Sequence, residues 1–157
     1  MNPSLALSIQ GHSRFSKSVA AFPARTTLRR WIVAALERDA ELVLRLVDAS
    51  EGRQLNKSFR HKDAATNVLT FSYSKSPEVH ADIVVCVPVV RNEARAQHKA
   101  FRNHLAHLVV HGVLHAQGWD HDRDRQARAM EAKEIEVLGA LGMSDPYAEK
   151  ADRSRRK

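Results

Sequence analysis

Apolar and polar residues alternate almost from the start of the chain, with Leu5, Leu7 and Ile9 set against Ala6 and Ser8, and this period of two predicts a strand. A polar stretch around Gly11 to Lys17 reads as a connection. Over residues 24–38 the period lengthens, and Leu28, Trp31, Ile32, Ala35 and Leu36 share one face of an amphipathic helix. Glu41 to Asp48 returns to alternation, Leu42, Leu44 and Leu46 against Val43, Arg45 and Val47, so a second strand with one well-buried face is expected. Asp48 or Ser50 can accept hydrogen bonds from the free N–H groups opening a short helix that reaches about Arg60. Asn67–Tyr73 predicts a third strand and Ser74–Glu78 carries turn chemistry. Val79–Val87 returns as a fourth strand, apolar enough from Ile83 on to be covered on both faces.

Pro88 suits the first turn of a helix ending near Lys99. The next helix, 102–117, places Leu105, Leu108, Val109, Gly112, Val113 and Ala116 on one broad arc with Val110 and Leu114 elsewhere; apolar nearly all round, it is expected at the centre of the fold. A last helix, 123–141, gathers Ala127, Met130, Val137, Leu138 and Leu141 on one side and ends at Gly142, before Asp145–Pro146. The order is β-α-β-α-β-β-α-α-α. A strand–helix–strand crossover favours parallel pairing, whereas the short turn near Ser76 favours an antiparallel hairpin. The expectation is therefore one α+β domain over residues 1–150, a four-stranded mixed sheet packed with about five helices, followed by a basic tail, 151–157, read as disordered.

Composition narrows this picture little. A chain of 157 residues suits one domain that buries about two-thirds of its unfolded surface, and 43% hydrophobic with 27% charged residues excludes wholesale disorder. The longest apolar run, Ile83 to Val90, is far too short to span a bilayer, so no membrane role is expected. The single cysteine, Cys86, cannot form an intrachain disulfide and reads as a buried small hydrophobe in a reducing compartment. A strand starting at Leu5 leaves no room for a signal segment, which points to the cytoplasm. Charge changes more: a formal +7 and a pI near 10.0 favour polyanionic partners, although several of the charges sit in the tail Arg153–Lys157.

The chemistry concentrates in residues 111–121, His-Gly-Val-Leu-His-Ala-Gln-Gly-Trp-Asp-His. His111 and His115 stand four apart and leave one helical face together, Gly118 can take the left-handed turn that ends the helix, and the returning chain brings in His121. Three neutral imidazoles suit one borderline ion, zinc first, with a position left open. The spacing is that of the metzincin pattern H-E-x-x-H-x-x-G-x-x-H, except that Gly112 replaces the glutamate base. His104 and His107 extend the row over an arc of about 80 degrees. Spacing alone permits a His107–His111 pair, but only His111 and His115 are followed by the glycine turn and the third histidine. His104 and His107 read equally as structural groups or as groups beside a metal or phosphate. Asp120 and Asp122 can orient an imidazole or cap the last helix.

At this point the chain resembles the YbeY endoribonucleases, bacterial metal-dependent RNases of ribosomal RNA maturation and ribosome quality control. Residues 111–121 are similar to that family's H-G-x-L-H-x-x-G-Y-D-H, with Trp119 for tyrosine. Leu55–Phe71 is similar to L-N-x-x-Y-R-G-K-D-x-P-T-N-V-L-S-F, and Ala81–Cys86 to G-D-I-x-I-C; His104-Leu-Ala-His107 and Asp145-Pro-Tyr147 fit as well. The resemblance implies a single-strand-specific endoribonuclease acting at the 3′ end of a 16S rRNA precursor. One Zn2+ would sit on His111, His115 and His121, with the ribosome or small-subunit proteins as partners. It makes Arg60 the functional arginine lining the RNA groove, a role its bidentate donors suit, since metal-activated water attacking phosphorus builds charge there. His107 is a candidate general acid, and Asp82 a carboxylate behind the metal ligands or a structural cap. His61, Ala65 and Ala81 replace glycine, proline and glycine of the pattern, and the basic charge is not a family mark. Two rival readings are a metzincin-type peptidase or amidase, against which Gly112 speaks, and a ribosome-assembly factor whose metal is structural and whose cleavage is incidental.

Overall fold

The computed structural model describes residues 3–60 and 66–148, the side chains of residues 59 and 60 excepted. The elements are β1 (Leu5–Gln10), α1 (His12–Ser18), α2 (Arg25–Ala35), β2 (Ala40–Val47), α3 (Ala49–Arg60), β3 (Val68–Ser74), β4 (Val79–Cys86), α4 (Val87–Ala96), α5 (Phe101–Ala116) and α6 (Asp124–Ala140). The four strands form one sheet in the order β1-β2-β4-β3, parallel between β1 and β2 and between β2 and β4, antiparallel between β4 and β3. The mixed α+β sheet is the one expected: the crossover through α2 brings β2 back parallel to β1, α3 leads into β3 running opposite to β2, and the short turn after Ser74 reverses the chain so that β4 is parallel to β2.

One element was not anticipated. Six helices are present among the described residues rather than about five, the extra one being α1. Its seven residues bury only Phe15, so no repeat of apolar positions marks it, and the residues read as a polar connection are helical.

The α5 helix lies across the sheet at the centre, with ten of its sixteen residues buried, His104 among them. It packs on β3 and β4 and is flanked by α2, α4 and α6. Leu28, Trp31, Ile32, Leu42, Leu44, Ile83, Leu105 and Leu114 all join this core at 0–1% exposure. Each such side chain contributes roughly 1.5–3 kcal/mol of apolar transfer, so this face accounts for most of the stabilisation. The opposite face of the sheet carries a smaller cluster, Val47, Leu69, Val84 and Cys86, packed by Leu55 of α3. Cys86 is buried there, and burial pushes its thiol above the ordinary value, as suits an inert small hydrophobe. Asp48, expected as a helix cap, accepts a hydrogen bond from the Glu51 N–H at 2.8 Å at the start of α3.

Alternation along β4 decides one site expectation. Ile83 faces α5, meeting it at Gly112, so its neighbour Asp82 points to the other side of the sheet. There it accepts a hydrogen bond from the exposed Tyr73 hydroxyl at 2.9 Å. The expectation of Asp82 as a carboxylate behind the metal ligands is corrected: strand pleat sends it to the wrong face. Ala81, its neighbour, is buried, while His61, Ala65 and the tail 151–157 lie outside the described residues.

Candidate metal centre

The histidine row is delivered by the end of α5. Helical hydrogen bonding stops at Gln117, Gly118 adopts φ 106, and the Trp119 N–H closes back on the Leu114 carbonyl at 3.1 Å. That left-handed residue is where glycine is needed, since other side chains rarely tolerate it. The chain then doubles back and sets the His121 ring 5.4 Å from that of His111 and 5.8 Å from that of His115, with His111 and His115 6.4 Å apart. Three imidazoles around one tetrahedral ion keep ring centres at roughly 5 Å, so His121 stands near the needed distance from both others while His111 and His115 are set wider apart.

The partners of the other ring nitrogens decide which lone pairs are free. His115 Nδ1 lies 2.9 Å from the Trp119 carbonyl oxygen, which can only accept, so Nδ1 carries the proton and Nε2 keeps its lone pair. His111 Nδ1 lies 3.3 Å from Glu134 Oε2. Burial alone would raise the Glu134 pKa, but hydrogen bonds from His107 and His111, the charge of His107 and the Tyr147 hydroxyl overcome it and hold the carboxyl at about 2. Glu134 is therefore an ionised acceptor, His111 Nδ1 is the donor, and His111 Nε2 is also free to ligate.

Asp120 stands beside the imidazoles and not at the helix cap. Its Oδ1 accepts from the His121 N–H at 2.7 Å and the Asp122 N–H at 3.3 Å, which lowers its pKa. It does not cap α6, whose N-cap position is Arg123. Instead one carboxylate oxygen and the ring nitrogens of His115 and His121 lie within 4.8 Å of one another, while the His111 ring stands outside that group, 5.4 Å from His121 and 6.4 Å from His115 centre to centre. Three imidazoles and a rim carboxylate fit a borderline divalent ion such as zinc by donor type.

His107 is also corrected. Its Nε2 faces Glu134 at 3.2 Å and the Tyr147 hydroxyl at 3.1 Å, and its Nδ1 is buried without a partner among the described residues. In this structure His107 holds Glu134, so its observed role is to position that carboxylate. His104, one turn earlier, directs Nε2 to Glu93 Oε1 at 3.1 Å; burial lowers its pKa, opposed by that carboxylate. Arg60 is the last residue of α3, and its side chain lies outside the described residues.

Sequence reasoning missed Glu134. It is 1% exposed on α6, donated to by the Tyr147 hydroxyl at 2.6 Å as well as by two histidines. The available signal was a carboxylate four residues after Met130 and three before Val137, in the middle of an apolar stripe. Tyr147 belongs to the Asp145-Pro-Tyr147 stretch that fits the family pattern, and the pattern alone gives it no role.

The Endoribonuclease YbeY family profile matches residues 13–142, which runs from the second residue of α1 past the end of α6. The chain belongs to the YbeY family. It is 53% identical over 147 residues to "Endoribonuclease YbeY" of Verminephrobacter eiseniae, covering 92% of this chain and 94% of that relative. It is 56% identical over 131 residues to "Endoribonuclease YbeY" of Paracidovorax citrulli, covering 83% and 86%. The solution structure of TM1509 from Thermotoga maritima superposes with a TM-score of 0.58 at 29% identity, covering 89% of this chain and 97% of that one. The YbeY assignment agrees with the resemblance drawn from the motifs. Among the described residues no helix is long and apolar enough to cross a membrane.

Proposed function

We propose that this YbeY-family chain is a metal-dependent endoribonuclease of ribosomal RNA processing. In this reading the ion is zinc, the substrate is single-stranded RNA such as the 3′ end of a 16S rRNA precursor, and the partners are the ribosome or small-subunit proteins in the cytoplasm. The residues that would hold the ion are His111, His115 and His121, with Asp120 at the rim. When bound, such an ion supplies Lewis acidity toward water and toward a phosphoryl oxygen. Everything else is the work of the chain. Glu134 and the Trp119 carbonyl fix the two helix imidazoles by their Nδ1 protons, so that both Nε2 lone pairs are presented without reorganisation. Arg60 is assigned the phosphate: a guanidinium donates two parallel hydrogen bonds and neutralises charge that grows on the phosphoryl oxygens.

The observation that carries this reading over a peptidase is the packing at Gly112. A Cβ there would stand 2.8 Å from Ile83 Cγ2, 3.5 Å from Val68 Cγ2 and 3.6 Å from Thr70 Oγ1. A side chain at 112 therefore points into the sheet, so the metzincin base position cannot carry a glutamate facing the substrate. Phosphodiester hydrolysis suits such a site, because Lewis acidity and a cationic phosphate clamp supply activation without that carboxylate.

The test is metal analysis of the purified protein together with cleavage of defined single-stranded and duplex RNAs, wild type beside His115→Ala. Stoichiometric zinc and single-strand cleavage that disappears in His115→Ala are expected. Cleavage by His115→Ala at the wild-type rate overturns the assignment. A peptide library left intact by the wild type separates the peptidase.

A further inference from the structure

Along α5, away from the metal ligands, the surface sinks into a cavity of about 440 Å³ whose wall includes Asn67, Glu93, Lys99, His107, Leu108 and Tyr147. This is within the range of small-molecule sites. A helix rises about 1.5 Å per residue, so the cavity, at the level of residues 104–108, lies about 10 Å along α5 from the ligands at 111 and 115. The same side chains join the two places: Tyr147 and His107 line the cavity and also bond Glu134, which bonds His111.

The polar groups on the wall are held in position while retaining spare capacity. Glu93 is fixed by Asn67 Nδ2, just before β3, at 3.1 and 3.3 Å and by His104 Nε2 on α5 at 3.1 Å. Its side chain remains 33% exposed, and a carboxylate has about four acceptor sites. Lys99 spends one donor on the Pro146 carbonyl at 2.8 Å and keeps two. The Tyr147 and His107 rings meet edge to face at 5.2 Å, giving an aromatic flank. An anchored acceptor, an anchored cation and an aromatic flank near the candidate metal centre match the needs of a splayed nucleotide base, which is stacked on a ring and read on its edge.

We propose that this cavity is a nucleobase subsite, receiving an unstacked base next to the phosphate held at the histidines, with Glu93 and Lys99 reading its edge. The proposal rests on the endoribonuclease reading and adds what the site recognises. Guanine fits best, because it presents N–H donors to a carboxylate beside the O6 acceptor for an ammonium.

The probes are guanosine 5′-monophosphate and ribose 5-phosphate, which share the phosphate and differ in the base, titrated into the full zinc-loaded chain and followed by amide chemical shifts. Guanosine 5′-monophosphate should bind about tenfold or more tightly than ribose 5-phosphate, shifting Ala96, Gln97 and Lys99. Ala96 lines the cavity and is exposed, so Ala96→Trp can block it at little cost to folding, checked by thermal melting. That variant should abolish the preference between the two probes. Equal binding of the probes by the wild type, or an undiminished preference in Ala96→Trp, overturns the subsite. Adenosine 5′-monophosphate, titrated in the same way, binding as tightly as guanosine 5′-monophosphate overturns the reading by Glu93 and Lys99. Cleavage is scored separately with His115→Ala, so a protein that binds the base without cutting RNA refutes the enzyme, and one that cuts without base preference refutes the subsite.

Discussion

Replacing Glu134 by glutamine isolates the carboxylate that joins the metal centre to the rest of the fold. The side chain is 1% exposed and accepts from the Tyr147 hydroxyl at 2.6 Å, His107 Nε2 at 3.2 Å and His111 Nδ1 at 3.3 Å. Glutamine keeps the volume but turns one oxygen into an N–H donor, so one of three buried donors loses its acceptor. A buried polar group left unpaired costs about 1–3 kcal/mol, and removing the buried charge offsets part of this, so a fall in stability of about 1–2 kcal/mol is expected. The larger effect falls on the metal. Without an ionised acceptor, His111 is no longer confined to the tautomer with Nε2 free, and loss of such a partner lowers metal affinity about 10- to 100-fold. Competition with a chromophoric chelator measures the affinity, and urea unfolding of the metal-free protein measures the stability. Tyr147→Phe is the control: it removes one donor and leaves the carboxylate, so zinc affinity should change by less than about threefold while stability falls by about 1 kcal/mol. Zinc affinity of Glu134→Gln within twofold of wild type would refute the orienting role of the carboxylate.

Gly112→Ala places a methyl group against Ile83 Cγ2 at 2.8 Å; overpacking of about 1–3 kcal/mol exceeds the helix-propensity gain of about 1 kcal/mol, so urea midpoints should fall, and a stabilised variant would contradict the packing argument. His104 is held below the ordinary histidine value, chiefly by burial. The unfolded chain therefore binds the extra proton, and the contribution of His104 to stability is present above about pH 6.5 and lost as pH falls below it. The drop in urea midpoint between pH 7.5 and pH 5 should shrink in His104→Gln, and an unchanged drop would show that the neutral buried imidazole is not its source.

How much of this was legible in the sequence depends on the range of the interaction. The α5 helix and the return of His121 were readable because a four-residue spacing and a glycine three residues on are local geometry, fixed by the helical repeat. So was the antiparallel hairpin of β3 and β4, which needs only a short turn. Asp82 could also have been placed, since assigning Ile83 to the core forces its neighbour outward. What spacing cannot give is the free nitrogen of each ring. A row of histidines says which rings share a face, whereas the tautomer of His111 is set by Glu134, twenty-three residues on, and Glu134 is itself held by Tyr147 near the end of the described chain. His107 shows the consequence: by spacing it was as good a ligand for His111's ion as His115, and only the carboxylate on α6 turns it into a buttress. The mark of such a partner is a charged residue where an amphipathic helix should be apolar, because a buried carboxylate persists only when donors from other elements meet it. On α6 that residue is Glu134, whose place in the apolar stripe implies donors from other elements, and the structure supplies them as His107, His111 and Tyr147.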